Sequence, residues 1–329
     1  MAEPYQGIIA ITGGTGFVGT YATAYLAAKG YAPRLITRRA GVADPAASVT
    51  IVTAGDLAAP GTELAPALAG ADAVVHLAAR AHRAVGEGAD ALALYRAENR
   101  DPTIALARAA ATAGVRHFIF ASTAYVHGHG GDGLIHPDMP LAPSGAYAVS
   151  KAEAETALAG VARDTGLAVT IIRPTIVYGP DAKANIRALS RAVARSLPLP
   201  FAAVSNRRSF LGIENLASFI DHRLAHPPAA GRCEAFLLAD AEIVSTPQFI
   251  RLLAAAHGRR ARLLPVPARA LAAALSLVGR AGMAQSLLGS FAADIGPARA
   301  LGWAPPVSLA QGLVDMVGAD GDGRLGHGA

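Results

Sequence analysis

The stretch from Ile8 to Gly19, I-I-A-I-T-G-G-T-G-F-V-G, restricts the fold more than any other part of the chain. A short apolar run ends at Thr12, glycines fall at Gly13, Gly16 and Gly19, and an alanine-rich segment follows from Thr20 to Lys29. This order predicts a strand, a glycine turn and a helix. Gly13 allows a tight turn after the strand, Gly16 has no side chain to hold a phosphate away from the backbone, and Gly19 lets the helix pack closely on a sheet. The helix N-terminus offers free N–H groups and the positive end of a dipole to a diphosphate. The segment therefore predicts the first β-α unit of a dinucleotide-binding fold, with Gly13, Thr15, Gly16, Phe17 and Val18 as candidate contacts. The spacing is G-x-x-G-x-x-G, and such a turn acquires weight only from motifs that follow at compatible distances.

With 329 residues there is room for one large α/β domain and a smaller part. The single cysteine, Cys233, excludes an internal disulfide framework and any multi-cysteine metal site; it is expected to be an ordinary core thiol in a reducing cytoplasm. The beginning, M-A-E-P-Y-Q, has neither a basic region nor an apolar signal core, so no targeting peptide is expected. The most apolar late stretch, Leu263 to Val278, is interrupted by Pro265, Pro267 and Arg269 and is too short to span a bilayer. The formal charge of +5 is spread without a Lys/Arg block, which argues against nucleic acid and suits a small anionic ligand.

A second strand is expected to end at Thr37, followed by Arg38 and Arg39. A carboxylate at that strand end would bind the 2′-OH of NAD; two guanidinium groups and no acid favour a 2′-phosphate, hence NADP(H), with NAD(H) as the alternative. A third strand, Val49 to Thr53, leads to Asp56 and Leu57, where an acid can accept from the adenine amino group. A fourth, Ala73 to Leu77, runs into Ala78 and Ala79, small enough for a cofactor to lie against the backbone; His76 reads as a packed histidine. The segment Gly86 to Asp90 is expected to be flexible, and a helix to run from about Ala91 through Ala113, with Asn99 needing a polar partner inside it. The fifth strand, His117 to Ala121, ends in Ser122 and Thr123. His127, His129 and His136 in the next loop lack a recognisable ligand spacing, so no metal is expected. Tyr147 and Lys151 lie four apart, on one face of an alanine-rich helix. An ammonium beside a phenol lowers its pKa towards neutrality, which suits a general acid or base for a carbonyl/alcohol pair. A sixth strand, Ala168 to Arg173, exits through Pro174, Thr175 and Ile176. Later, Leu237 and Leu238 read as a strand and Thr246 to His257 as a helix.

Taken together, T-G-G-T-G-F-V-G, Asp56-Leu57, H-L-A-A, Asn99, Ser122-Thr123, Tyr147/Lys151 and R-P-T-I-V-Y-G-P resemble the extended short-chain dehydrogenase/reductase family, in its nucleotide-sugar epimerase/dehydratase branch, over residues 7 to 315. The resemblance implies an α/β fold, a Rossmann-like doubly wound parallel sheet with a smaller mixed C-terminal substrate part. The expected division is 1–180 for the cofactor domain, with some later segments returning to it, 181–317 for substrate, and 318–329 as a disordered tail. It implies Thr123, Tyr147 and Lys151 as the catalytic set. Cofactor contacts would come from Gly13, Thr15, Gly16, Phe17, Val18, Thr37, Arg38, Arg39, Asp56, Leu57, Leu77, Ala78, Ala79, Asn99, Ala121, Ser122, Tyr147, Lys151, Pro174, Thr175 and Ile176. A UDP-sugar would meet Thr123, Asn185, Leu199, Phe201, Arg207, Arg208 and Asp294, the arginines having a clear rationale on a diphosphate. His127 replaces the usual Tyr of V-Y-G, and Pro102 stands where Gly is usual, read as neutral. The arginine that usually precedes Asp294 is not evident, since Gln285-Ser-Leu-Leu stands there.

The detailed wording is most similar to the group of bacterial UDP-4-keto-6-deoxy-N-acetylhexosamine reductases, often labelled UDP-glucose 4-epimerases, which serve polysaccharide or O-antigen sugar synthesis. The expected reaction is hydride transfer to C4 of a UDP-4-keto-sugar. The alternatives are a 4-epimerase of UDP-glucose or UDP-N-acetylglucosamine and a reductase of a non-nucleotide carbonyl. Dehydration would want Asp-Glu after the catalytic Thr, where Ala124 and Tyr125 stand. A cytoplasmic homodimer, without nucleic-acid or membrane partners, completes the expectation.

Overall fold

The computed structural model describes residues 7–41, 49–59, 61–80, 89–131, 133–182, 184–277 and 287–322. Its strands are β1 (Ile8–Thr12), β2 (Ala32–Thr37), β3 (Thr50–Thr53), β4 (Ala73–His76), β5 (His117–Ala121), β6 (Leu134–Ile135), β7 (Ala168–Pro174), β8 (Ile176–Tyr178), β9 (Arg208–Gly212), β10 (Cys233–Leu238), β11 (Ile243–Val244) and β12 (Ala292–Ala293). The chain falls into two compact units. The first comprises Met1–Gly128, Pro140–Pro174 and Leu216–Phe236, the second His129–Met139, Thr175–Asn215 and Leu237–Ala329. The chain thus leaves the first unit for His129–Met139, leaves it again after Pro174, near the division read at 180, and returns for Leu216–Phe236.

The first unit is built on a seven-stranded parallel sheet ordered β10-β7-β5-β4-β1-β2-β3. Its central strands are unbroken apolar runs such as I-I-A-I-T and H-F-I-F-A, the pattern of strands covered on both faces. Strand order reverses between β1 and β4, where Thr12 and His76 are register partners. Doubly wound sheets bind ligands outside the carboxyl ends of the strands at such a reversal. The helices of this unit are α1 (Phe17–Ala28), α2 (Ala65–Leu68), α3 (Ala89–Tyr95), α4 (Asp101–Thr112) and α5 (Ala146–Thr165), followed later by Ile213–Ala225, whose first three residues belong to the second unit. Phe118, Phe120, Leu106, Leu158, Val169 and Ile171 form the centre of its core.

The helix expected from Ala91 to Ala113 is not continuous. A π-helical turn, Arg96–Arg100, separates α3 from α4. Pro102 explains it, because proline has no N–H to give Glu98 and its ring crowds that carbonyl. The ladder widens instead, and the N–H of Asp101 bonds the carbonyl of Arg96, five residues back. Pro102 is therefore not neutral: it sets the turn that presents Asn99. Of the segment read as flexible, Ala89 and Asp90 begin α3 and 86–88 lie outside the described residues. The last helix, Leu309–Asp322, extends into the stretch read as a tail, of which 323–329 lie outside the described residues.

In the second unit β8 and β9 are parallel, β11 pairs antiparallel with β9, and β12 pairs with β6. Helix Thr246–Ala256 begins in a capping box of Ser245 and Gln248 and packs Phe249 on Phe210, with ring centroids 4.0 Å apart. Asp240, buried here, accepts from the Gly212 N–H, Asn215 and the Tyr178 hydroxyl. Cys233 is half-buried on β10, and burial pushes its thiol up to about 11. No helix among the described residues is long and apolar enough to cross a membrane.

Two histidines are built into the main sheet. His76 stacks on Phe120 and His117 bonds Thr170; burial holds each at about 3, well below the ordinary value. Only the unfolded chain takes up their protons between about pH 6.5 and 3, so stability is full above that window and lost as pH falls through it. Urea unfolding should show a decline of up to about 1.4 kcal/mol per pH unit per histidine in that range. His117→Asn should flatten it, and an unchanged slope would refute this account.

Candidate active site

At the reversal the glycine turn and the end of β4 touch through their backbones. Gly13 has φ +73°, and a Cβ there would lie 2.5 Å from the Ala78 nitrogen and 2.7 Å from the Leu77 carbonyl carbon. A Cβ at Gly19 would lie 2.0 Å from the Gly13 oxygen, and one at Gly14, not singled out by the sequence, 2.4 Å from Leu35 Cδ2. Gly16 differs: its Cβ would find only the Gly13 oxygen, at 3.3 Å. That contact is tight, but among the described residues no other atom beyond its chain neighbours lies within 4 Å of the position, so the space on its remaining sides fits a ligand. Gly16 is also the N-cap of α1, which has no capping side chain and no acid in its first turn. Its N–H groups and dipole are left for an anion. Thr15 is exposed, and Phe17 and Val18 are half-buried, beside this end.

The ends of β2 and β3 bring the next candidates together. The Thr37 hydroxyl donates to the Arg39 carbonyl at 3.0 Å, closing the turn that presents Arg38. Arg38 lies 3.9 Å from Asp56, both side chains more than half exposed. Asp56 also accepts from the Ala58 N–H, and Leu57 packs on the core. Asn99 donates to the Arg80 carbonyl and accepts from its N–H, fixing the chain just after Leu77-Ala78-Ala79. Thr103 beside it uses its hydroxyl hydrogen on the Asn99 carbonyl, so it accepts from His76 Nε2, and His76 Nδ1 accepts from Thr12. His76 is thus a neutral histidine tying β1 to the π-turn.

Helix α5 starts at Gly145, which has φ +83°, and carries Tyr147, Lys151 and Glu155 on one face. The buried Lys151 ammonium donates to the Ala121 carbonyl at 2.7 Å and lies 4.4 Å from the centre of the Phe120 ring. Burial lowers its pKa to about 7. Tyr147 packs edge-on against Tyr95, with centroids 6.0 Å apart. The lysine was expected to lower the phenol, but the phenol is pushed up to about 12, by burial and then by Tyr95. The reason is local. Burial strips solvent from a phenolate, while the ammonium is engaged by Ala121 and Phe120.

Buried Thr123 accepts from the Tyr125 N–H at 3.3 Å, capping the 3-10 turn Ala124–His127. That leaves the hydroxyl hydrogen to donate elsewhere. Ser122, assigned by resemblance to the cofactor, donates to Glu155, which is paired with Arg173. Glu155, Arg173 and Tyr95 were not foreseen as site residues. The available signal was an acid one turn beyond Lys151, on the face that the sheet buries.

Pro174 ends the first unit. Thr175 and Ile176 belong to the second, where both the N–H and the hydroxyl of Thr175 go to the Leu238 carbonyl. Asn185 is exposed in the first turn of helix Ala184–Ala194. Leu199 is laddered to Arg262 and Leu264 through its backbone, and the Phe201 side chain is buried. Arg207 is exposed, whereas the buried Arg208 donates to the Gly289 carbonyl at 2.9 Å. Asn206, unnoticed in the sequence, bonds Thr246, Leu287 and Gly289 and so orders the same turn. Asp294 accepts from the Gly296 N–H and pairs with His136 at 2.9 Å. That histidine, read as a loop residue, has a carboxylate partner.

A model of the family described as the NAD dependent epimerase/dehydratase family matches residues 9–239. A UDP-glucose 4-epimerase of Vibrio cholerae is 38% identical over 93% of this chain and 93% of its own length. Among solved structures, a UDP-N-acetylglucosamine 4-epimerase from Bacillus cereus superposes with TM-score 0.76 at 20% identity, covering 94% of this chain and 98% of that one. MoeE5 in complex with UDP-glucuronic acid and NAD gives 0.75 at 23%, covering 96% and 100%. The chain belongs to the NAD-dependent epimerase/dehydratase family.

The glycines separate packing from ligand binding. Gly19→Ala, facing a backbone oxygen, should lower urea stability by about 1–3 kcal/mol. Gly16→Ala, whose Cβ meets the same oxygen at 3.3 Å instead of 2.0 Å, should cost clearly less stability than Gly19→Ala while weakening NAD binding at least about tenfold in calorimetry, a loss of about 1.4 kcal/mol. Equal loss of stability in both variants would contradict the assignment.

Proposed function

We propose that this family member moves a hydride at C4 of a UDP-sugar, with 4-epimerisation as its outcome. The observation that carries the reading is the set of Thr123, Tyr147 and Lys151, presented beside the glycine turn's sheet, in a chain that aligns with a UDP-glucose 4-epimerase over nearly its whole length. Bound NAD would supply the carbon that takes up and returns the hydride. Tyr147 is the proton holder at O4: its phenol is protonated at neutral pH and can donate as a hydride arrives at C4. In the oxidising direction the phenol first gives its proton to solvent; the O4–H proton would then pass to the phenolate as the hydride leaves C4 for NAD, and it returns to O4 when the hydride is given back. Thr123, with its acceptor side engaged by Tyr125, donates to O4 and aligns it. Asn185, Arg207 and Arg208 support a nucleoside diphosphate, and Gly16 with the bare end of α1 supports the cofactor diphosphate.

A second reading, reduction of a UDP-4-keto-sugar by NADPH, is favoured by Arg38 and Arg39 after a strand that ends in Thr37. Asp56 weakens it, because a carboxylate 3.9 Å from Arg38 competes for the guanidinium and repels a 2′-phosphate. A homodimer is part of the proposal by family resemblance and is open to analytical ultracentrifugation.

Two experiments follow. Tyr147→Phe should lower turnover of UDP-glucose by about 10²–10⁴-fold while UDP binding by calorimetry is kept; unimpaired turnover would overturn the role of Tyr147. Acid denaturation of the purified protein should release near-stoichiometric NAD if epimerisation holds. An empty protein that binds NADPH far more tightly than NADH would replace epimerisation by the reductase reading.

A further inference from the structure

The family resemblance leaves His127 unexplained, and the ion pair Glu155–Arg173 takes no part in the proposed chemistry. The two belong to one network in the first unit. Arg173 donates through Nε and Nη2 to both oxygens of Glu155, at 3.1–3.2 and 2.7 Å, with side chains only 7% and 3% exposed. The remaining Glu155 capacity is used by the Ser122 hydroxyl. Arg173 Nη1 donates to His127 Nε2 at 3.0 Å. A guanidinium has no acceptor, so Nε2 must accept, and a neutral His127 carries its proton on Nδ1.

The positions along the chain give this network its meaning. Ser122 immediately precedes Thr123, and His127 closes the 3-10 turn that Thr123 caps. Glu155 stands on α5, one and two turns beyond Lys151 and Tyr147. Arg173 is near the end of β7, whose Ile172 carbonyl accepts the Ser122 N–H at 2.7 Å. We propose that Glu155, Arg173 and His127 form a two-ended clamp on the Thr123 segment, holding its hydroxyl in register with the Tyr147/Lys151 face of α5. Glu155 grips the segment before Thr123 and Arg173, through His127, grips it after. Both grips are the two halves of one ion pair, so the hydroxyl and the helix are located by the same buried charges. Phenylalanine at 127 would remove the second grip, and glutamine would retain an acceptor for Arg173. These are positioning residues, and the inference rests on the role proposed above for Thr123.

Breaking a buried ion pair endangers folding, so His127 is the residue to change, with folding checked by urea unfolding. His127→Phe should lower kcat for UDP-glucose about 10–100-fold, as a displaced reacting group does, with KM altered less than about twofold. His127→Gln should recover most of that loss. In a Thr123→Ala background, His127→Phe should cost less than about twofold, because the group it positions is gone. Hydrogen exchange of residues 122–128 should rise in His127→Phe while β5 stays protected. The clamp is overturned if the His127→Phe loss is as large without Thr123 as with it, or if exchange over 122–128 is unchanged. If Thr123→Ala alone leaves turnover intact, or the wild type converts no UDP-glucose, the proposed reaction fails instead. The exchange measurement then decides the clamp by itself.

Discussion

The backbone contact between the glycine turn and the chain leaving β4 is the constraint on which the first unit depends. Gly13 and Ala78 approach so closely that no side chain fits between them, and Gly19 holds α1 equally close to the turn. Such approaches place the open end of a helix directly outside two parallel strands at the point where their order reverses. Anion binding there needs no charged side chain, because the unpaired N–H groups of α1 supply the donors. The same closeness makes the turn intolerant: the glycines that shape it face backbone or a core leucine, and backbone moves only at the expense of the sheet.

Around this turn the buried polar groups are arranged so that charges are paired or absent. His76 stays neutral, bonded by Thr12 and Thr103. Glu155 and Arg173 neutralise each other. Lys151 is held by one carbonyl and a ring face, and burial brings it to about 7, so it is poised to change protonation near neutral pH. Tyr147, buried against Tyr95, remains a phenol. Burial therefore keeps a proton on Tyr147, fixes the Glu155–Arg173 charges as a pair and leaves Lys151 near its midpoint.

The second unit follows the same rule with different groups. Asp240 is buried yet accepts from a backbone N–H, an amide and a phenol, and Asn206 uses its whole side chain to order a turn. Arg208 is drawn onto the Gly289 carbonyl while its neighbour Arg207 stays exposed. Every residue of strand β9 is buried, and Arg207 stands just outside it, so the two neighbouring arginines are not equivalent.

Much of this was legible in the sequence because it is local. The apolar runs, the glycine turn, the Tyr147/Lys151 spacing and the Ser122-Thr123 strand end are each set by a few consecutive residues and the periods of strand and helix. The π-turn was legible in principle, since Pro102 forces it. Other features depend on which elements come together, and no local pattern encodes that. Only tertiary structure turned Lys151 towards Ala121, raised Tyr147 instead of lowering it, gave Asp294 to His136, and joined Ser122, Glu155, Arg173 and His127 across separations of up to 46 residues. The direction of a pKa shift and the partner of a charge are properties of burial and distance, and both arise only when the chain has packed.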